Sequence, residues 1–147
     1  MGEKPPRLFL DASAIIAASA APEGGSALVL DYCRVGKAKA LVTRLVLREA
    51  ERNIREKLGE AVLLRFYHMI VAMDPTVAPA PSLAQMEAAI RIVAPKDAHV
   101  LAAAQAAHAT HLITLDRRHF LGEEQRKAIL PIIACTPGEY LQALLSR

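Results

Sequence analysis

Residues 8–16 read LFLDASAII, an apolar run, an aspartate and small residues that lead into a second apolar run. A short apolar run that ends at a polar residue is typical of a strand buried inside a sheet. Asp11 is therefore predicted to lie where such a strand leaves the core. A buried carboxylate without partners is costly, so the meaning of Asp11 depends on whether other acids reach the same place.

Outward from this stretch, short apolar runs alternate with amphipathic segments. The runs predicted to be β-strands are residues 7–10, 40–42, 111–115 and 130–135. The segments predicted to be helical are residues 22–35, 45–58, 60–73, 83–93, 96–109 and 137–145, with a weaker helical tendency over 117–128. Residues 74–82, DPTVAPAPS, are predicted to be a proline-broken connection. This alternation favours an α/β sandwich with a mostly parallel sheet.

Length and composition limit the possible classes of protein. The chain has 147 residues, 53% of them hydrophobic, with a mean hydropathy of +0.23. One domain over residues 1–147 is expected, with a substantial core and no extensive disorder. No uninterrupted apolar stretch reaches the roughly 18 residues of a membrane helix. The start MGEKPPRLFL does not resemble a signal peptide, so we expect a cytoplasmic protein with no membrane segment.

Charge and cysteine content allow a nucleic-acid partner but do not require one. The net charge is +3 and the pI is about 9.1, which is compatible with RNA binding. Three Phe, three Tyr and no Trp argue against a platform that stacks successive bases. Cys33 and Cys135 are too far apart in sequence for a redox pair or a zinc knuckle, so both are predicted to be buried thiols.

Four acids are predicted to converge at one edge of the sheet. Asp11 and Asp116 directly follow predicted strands. Glu49 lies early in the helix after the second strand, and Asp97 begins the helix that leads into the 111–115 strand. The carboxyl ends of parallel strands meet at the edge where ligands bind in open α/β sheets. The sequence therefore predicts a cluster of carboxylates there.

Each acid also has an ordinary structural explanation. Asp11 and Asp116 could cap helices, Asp97 could complement a helix dipole, and Glu49 could be a solvated helix residue. Taken together, crowded carboxylates repel one another and raise one another's pKa. A divalent cation relieves that repulsion, and oxygen ligands suit Mg²⁺ or Mn²⁺.

At these residues the sequence resembles the PIN domain family of metal-dependent ribonucleases, most closely the small branch that includes the VapC-type toxins. The stretches that carry the resemblance are LFLDASAII, LREAERNI and APKDAHVLAAAQAAHATHLITLDRRHF. It implies a three-layer α/β sandwich with a central parallel sheet of about four or five strands flanked by helices.

The resemblance also implies a site, whose residues fall on Asp11, Glu49, Asp97, Asp116, Ser13 and Thr114. The four acids would hold one or two Mg²⁺ or Mn²⁺ ions, and the two hydroxyls would fix the carboxylates. Glu51 is the alternative to Glu49. Some members carry a further acid after the last aspartate, whereas this chain continues with Arg117, Arg118 and His119. These three could grip the RNA backbone or form an ordinary solvated loop.

The function implied is hydrolysis of RNA phosphodiester bonds, as the toxin of a toxin–antitoxin pair. A small antitoxin protein and a homodimer are the partners this implies. Two alternatives remain. The chain could be a catalytically silent binding or scaffold module, or it could be an orphan or housekeeping nuclease. Ser13 stands where a haloacid dehalogenase phosphatase needs a second aspartate, and GGSALV lacks the GK[ST] of a P-loop. The sequence also shows neither the paired acid nor the lysine after a later strand that a response-regulator receiver needs.

Overall fold

The computed structural model describes residues 4–146, and five strands form one parallel sheet at its centre. In chain order the strands are β1 (Arg7–Leu10), β2 (Lys39–Val42), β3 (Thr76–Val77), β4 (His111–Ile113) and β5 (Ile133–Cys135). Their order across the sheet is β3-β2-β1-β4-β5, with every pair parallel. β1 is therefore the central strand, and its carboxyl end opens at the middle of one edge.

Helices cover both faces of this sheet. They are α1 (Ala12–Ala20), α2 (Gly25–Arg34), α3 (Arg44–Lys57), α4 (Glu60–Met73), α5 (Leu83–Ile90), α6 (Ala98–Ala106), α7 (Glu123–Ala128) and α8 (Pro137–Leu145). The first four helices pack together with α8, whereas α5 packs against α6. Leu8, Phe9 and Leu10 are all fully buried, because successive side chains of β1 point into opposite layers. The three-layer α/β sandwich expected from the sequence is confirmed.

The described residues differ from the predicted elements mainly at the ends and in one connection. Residues 74–82, predicted as a proline-broken connection, also contain the two-residue strand β3, which pairs with β2 and was not predicted. The helix predicted over 96–109 begins as a 3-10 turn at Pro95–Asp97 and ends at Ala106. His108 then takes a positive φ of 55°, which no helix residue adopts. Residues 1–3 and 147, part of the expected domain, lie outside the described residues.

Within residues 4–146, no single helix is long and apolar enough to cross a membrane. Only α1 and α2 counted together, with a bend of 103° between them, meet the length and composition of a span.

The entry into α3 is fixed by Thr43, the residue after β2. Its side-chain oxygen accepts a hydrogen bond from the Val46 N–H at 3.1 Å, and Thr43 is buried. Replacing Thr43 by alanine should lower the free energy of unfolding by about 1 kcal/mol, since an N–H of the first turn loses its acceptor. Urea unfolding measures this, with Thr43→Ser as the control that keeps the cap. Equal stability of the two variants would contradict the role.

Candidate metal centre

Asp11 is the first acid at the carboxyl edge and the N-cap of α1. Its N–H donates to the Ile113 oxygen at 3.0 Å, which continues the β1–β4 pairing by one residue. Its Oδ1 accepts from the Ala12 N–H at 2.9 Å. Its Oδ2 accepts from the hydroxyls of Ser13 at 2.9 Å and Thr114 at 2.8 Å. The buried carboxylate is thus held in one orientation by donors from two strand ends.

Thr114 links Asp11 to the acid that follows β4. Its hydroxyl donates to Asp11 and accepts from the Asp116 N–H at 3.0 Å. Ser13 completes the link, because its oxygen accepts from the Leu115 N–H at 3.0 Å. Thr114 is fully buried, so water does not compete for these bonds. Ser13 and Thr114 therefore both donate to the Asp11 carboxylate, and their role in a site stays a prediction.

Asp116 is held by the turn that follows it. Its Oδ1 accepts from the His119 N–H at 3.1 Å, and its Oδ2 lies 2.7 Å from Nδ1 of the same histidine. The backbone of His119 therefore fixes one carboxylate oxygen while the imidazole meets the other. Both side chains are half-buried.

Asp97 reaches the same place from the other side, at the end of the 3-10 turn that precedes α6. Within residues 4–146 its Oδ2 is buried without a hydrogen-bond partner, and it lies 3.7 Å from His119 Nδ1. Burial raises the pKa of the Asp97 carboxyl above its usual value. The charges of His119 and Lys96 lower that pKa, and those of Asp116 and Asp11 raise it. The charges of both other aspartates therefore act on the Asp97 carboxyl.

Three of these side chains form a set that could hold a cation. Asp97, Asp116 and His119 each offer one ligand atom, and these atoms lie within 4.8 Å of one another. The donors are two carboxylate oxygens and one imidazole nitrogen. Such mixed sets suit Mn²⁺ and related ions, and carboxylates with water suit Mg²⁺. The unpartnered Asp97 Oδ2 is the observation that fits a divalent cation to these residues.

Glu49 is not brought into this set. It lies in the second turn of α3 and is half-buried, with its backbone oxygen accepting from Asn53 Nδ2 at 2.9 Å. Among residues 4–146, its carboxylate has no hydrogen bond or ion pair. Glu51, the alternative, accepts from the Tyr67 hydroxyl at 2.5 Å and lies 3.8 Å from Arg55. Glu51 is thus engaged by α4, and Glu49 stays a prediction as the fourth acid.

His119 is the residue whose contacts the sequence did not predict. The sequence left it either as a contact with the RNA backbone or as part of a solvated loop, and its imidazole faces Asp116 and Asp97. The available signal was the Asp-x-x-His spacing directly after a strand, which brings the two side chains together in a tight turn. Arg117 and Arg118 are exposed, and neither forms an ion pair in the described part of the chain.

Comparison with known proteins agrees with this geometry. A family model described as PIN domain matches residues 7–118, a range that contains β1 and all four predicted acids. The fold resembles the crystal structure of VapC20 from Mycobacterium tuberculosis, a sarcin–ricin loop cleaving toxin, with a TM-score of 0.55 and 13% sequence identity. That match covers 76% of this chain and 91% of the other. No curated protein sequence matches the chain significantly.

Proposed function

Because the chain belongs to the PIN domain family, we propose that it is a metal-dependent endoribonuclease that acts as one PIN-like domain. The observation that carries this proposal is the buried, unpartnered Oδ2 of Asp97, which faces the Asp116–His119 pair. Carboxylates alone would repel an RNA phosphate. A site with this geometry suits phosphodiester hydrolysis only when a cation reverses its charge.

The proposed roles follow from the contacts. Asp97 and Asp116 hold the cation, either Mg²⁺ or Mn²⁺, and Asp11 completes the site from its fixed position. When bound, a divalent ion there would lower the pKa of a water and offset charge on the scissile phosphate. Glu49 is a candidate for orienting the attacking water. Arg117 and Arg118, exposed beside the site, would contact the RNA backbone.

The test is cleavage of a mixed-sequence RNA by the purified chain. We expect cleavage with Mn²⁺ or Mg²⁺, none after chelation with EDTA, and a rate about 1000-fold lower in an Asp97→Asn variant. Mn²⁺ binding is measured in parallel by isothermal titration calorimetry. Absence of both cleavage and Mn²⁺ binding would refute the nuclease and favour a silent binding or scaffold module.

The resemblance of the fold to a toxin supports a finer proposal. We infer that the chain is the toxin of a toxin–antitoxin pair, acting in the cytoplasm as a homodimer that a small antitoxin protein inhibits. Exposed apolar side chains on α4 provide surface for such contacts: Leu64 and Val71 are 59% and 80% exposed. Growth arrest on expression of the active chain, with rescue by the product of a short neighbouring gene, is expected. Growth unaffected by active enzyme would leave an orphan nuclease.

His119 is expected to take part in metal binding. Its Nδ1 lies close to both Asp116 Oδ2 and Asp97 Oδ2, so removing it changes the donor set. His119→Ala should weaken Mn²⁺ binding by about 10- to 100-fold. Electron spin echo spectroscopy of the Mn²⁺ complex should also lose a nitrogen coupling. His68→Ala, at an exposed position on α4, is the matched control. An unchanged spectrum and affinity would rule out the role.

A further inference from the structure

A pocket of about 450 Å³ opens at the carboxyl edge of the sheet, the edge that also carries the candidate metal centre. Its walls come from the first turn of α3, from the loop that follows β3, and from His99 of α6. The first two segments leave the carboxyl ends of β2 and β3, the same edge at which Asp11 leaves β1. His99 is two residues beyond Asp97. The pocket and the acids therefore share one rim of the sheet.

The walls of the pocket are largely apolar, and two of their large apolar side chains are about half exposed to solvent. Leu45 and Val77 are 52% and 47% exposed, although both line a concavity. Pro79 and Pro81 line it as well and present rings without an N–H donor. Because neither proline has an N–H, a flat apolar ligand could pack against them without burying an unsatisfied backbone donor. The volume falls within the range of small-ligand sites.

The polar groups in the pocket are cationic or neutral. Arg44 is exposed, and in the described part of the chain it forms no ion pair. The His99 imidazole is half-buried, and its Nδ1 is buried without a hydrogen-bond partner. No carboxylate lines this pocket, in contrast to the acid cluster beside it. The lining therefore suits a ligand that combines an apolar face, hydrogen-bonding edges and negative charge.

We propose that this pocket binds one unstacked nucleobase of single-stranded RNA next to the phosphate at the metal centre. The inference rests on the proposed ribonuclease function and adds a determinant of cleavage sequence to it. The base packs against Leu45, Val77 and the prolines, and its edge meets the His99 imidazole. Arg44 contacts the adjoining phosphate. Nucleobases enter such pockets only when they are splayed out of a helix, so single-stranded segments are the substrate class.

Binding can be measured without cleavage. The chain has five histidines, so long-range ¹H–¹⁵N spectra of the imidazoles can be assigned by single substitutions. The probes are the four ribonucleoside 5′-monophosphates, added to protein in EDTA. We expect a saturable shift of His99 with at least one of them, and none of His68. Ala80→Trp, which fills the pocket from an exposed loop position, should abolish that shift.

Cleavage provides the second measurement. On a randomised RNA, His99→Ala should lose base preference at one position relative to the cut. Its KM should rise about tenfold while kcat is kept, because one hydrogen bond to the base is lost. Three results would each overturn the proposal that this pocket binds a base. They are the absence of any His99 shift, a shift that persists in Ala80→Trp, and an unchanged base preference in His99→Ala. Nucleotide binding without RNA cleavage would instead overturn the nuclease and leave the pocket standing.

Discussion

Asp97→Asn is expected to lower metal-dependent RNA cleavage about 1000-fold and, without metal, to stabilise the fold. The substitution keeps the shape of the side chain and removes the charge that a cation would bind. Electrostatic groups at reacting phosphates and carbonyls contribute factors of this size. Cleavage rates under single-turnover conditions, together with Mn²⁺ calorimetry, give the first part of the result. Activity within a few-fold of the wild type would remove Asp97 from the site.

The gain in stability follows from the direction of the pKa shift. Burial raises the pKa of Asp97 in the folded state, so the charged form is disfavoured by folding. Stability is therefore lost as pH rises from the usual aspartate pKa through the raised one. In EDTA at pH 7, the variant should therefore be more stable than the wild type, as urea unfolding would show. The difference should shrink toward low pH, where the wild-type carboxyl is protonated.

A matched control separates site chemistry from a general loss of negative charge. Glu56→Gln removes one charge from an exposed position of α3 that has no ion pair in the described residues. We expect this variant to keep the wild-type cleavage rate and Mn²⁺ affinity. It should also show no gain of stability in EDTA. If both variants gained stability equally, the gain would come from removing any one negative charge and not from the burial of the Asp97 carboxylate.

The central part of the fold was predictable because it depends on local pattern. Residues 8–10 are apolar and are followed by an acid, and they form the fully buried part of the central strand β1. β3 was missed since its two residues lie among prolines and pair with β2 only through tertiary packing. The Ala78 N–H donating to the Val42 oxygen at 2.7 Å is a contact that no local pattern contains.

The candidate site, like the fold, was predictable only in part. Asp11 and Asp116 could be located from the sequence because each directly follows a predicted strand, and strand order does not alter which edge they reach. The place of Asp97 followed from the direction of a helix that feeds a parallel strand. The orientation of His119 depends on the turn after β4 and on Asp97 lying opposite, which are three-dimensional facts. Asp11 caps α1 and also accepts from the Thr114 hydroxyl, so its role as a cap does not exclude a role in the site, which stays a prediction.

Thr114→Val is expected to damage stability and cleavage together. Valine has nearly the volume of threonine and suits the position after β4, so packing is kept while the hydroxyl is lost. Asp11 Oδ2 then loses a donor and the Asp116 N–H loses its acceptor. Buried groups left unpaired cost about 2 kcal/mol in unfolding free energy. With both acids less firmly held, cleavage should fall by about 10- to 100-fold.

Thr114→Ser separates the hydroxyl from the methyl group. Serine keeps the donor to Asp11 and the acceptor for Asp116, at the expense of a small cavity. It should therefore retain Mn²⁺ affinity and most of the cleavage rate, even where urea unfolding shows some loss of stability. If serine and valine variants lost activity to the same extent, packing at this position would matter and the hydroxyl would not. Loss of activity only in the valine variant would mean that the buried Thr114 hydroxyl holds the Asp11 and Asp116 carboxylates in the positions that cleavage requires.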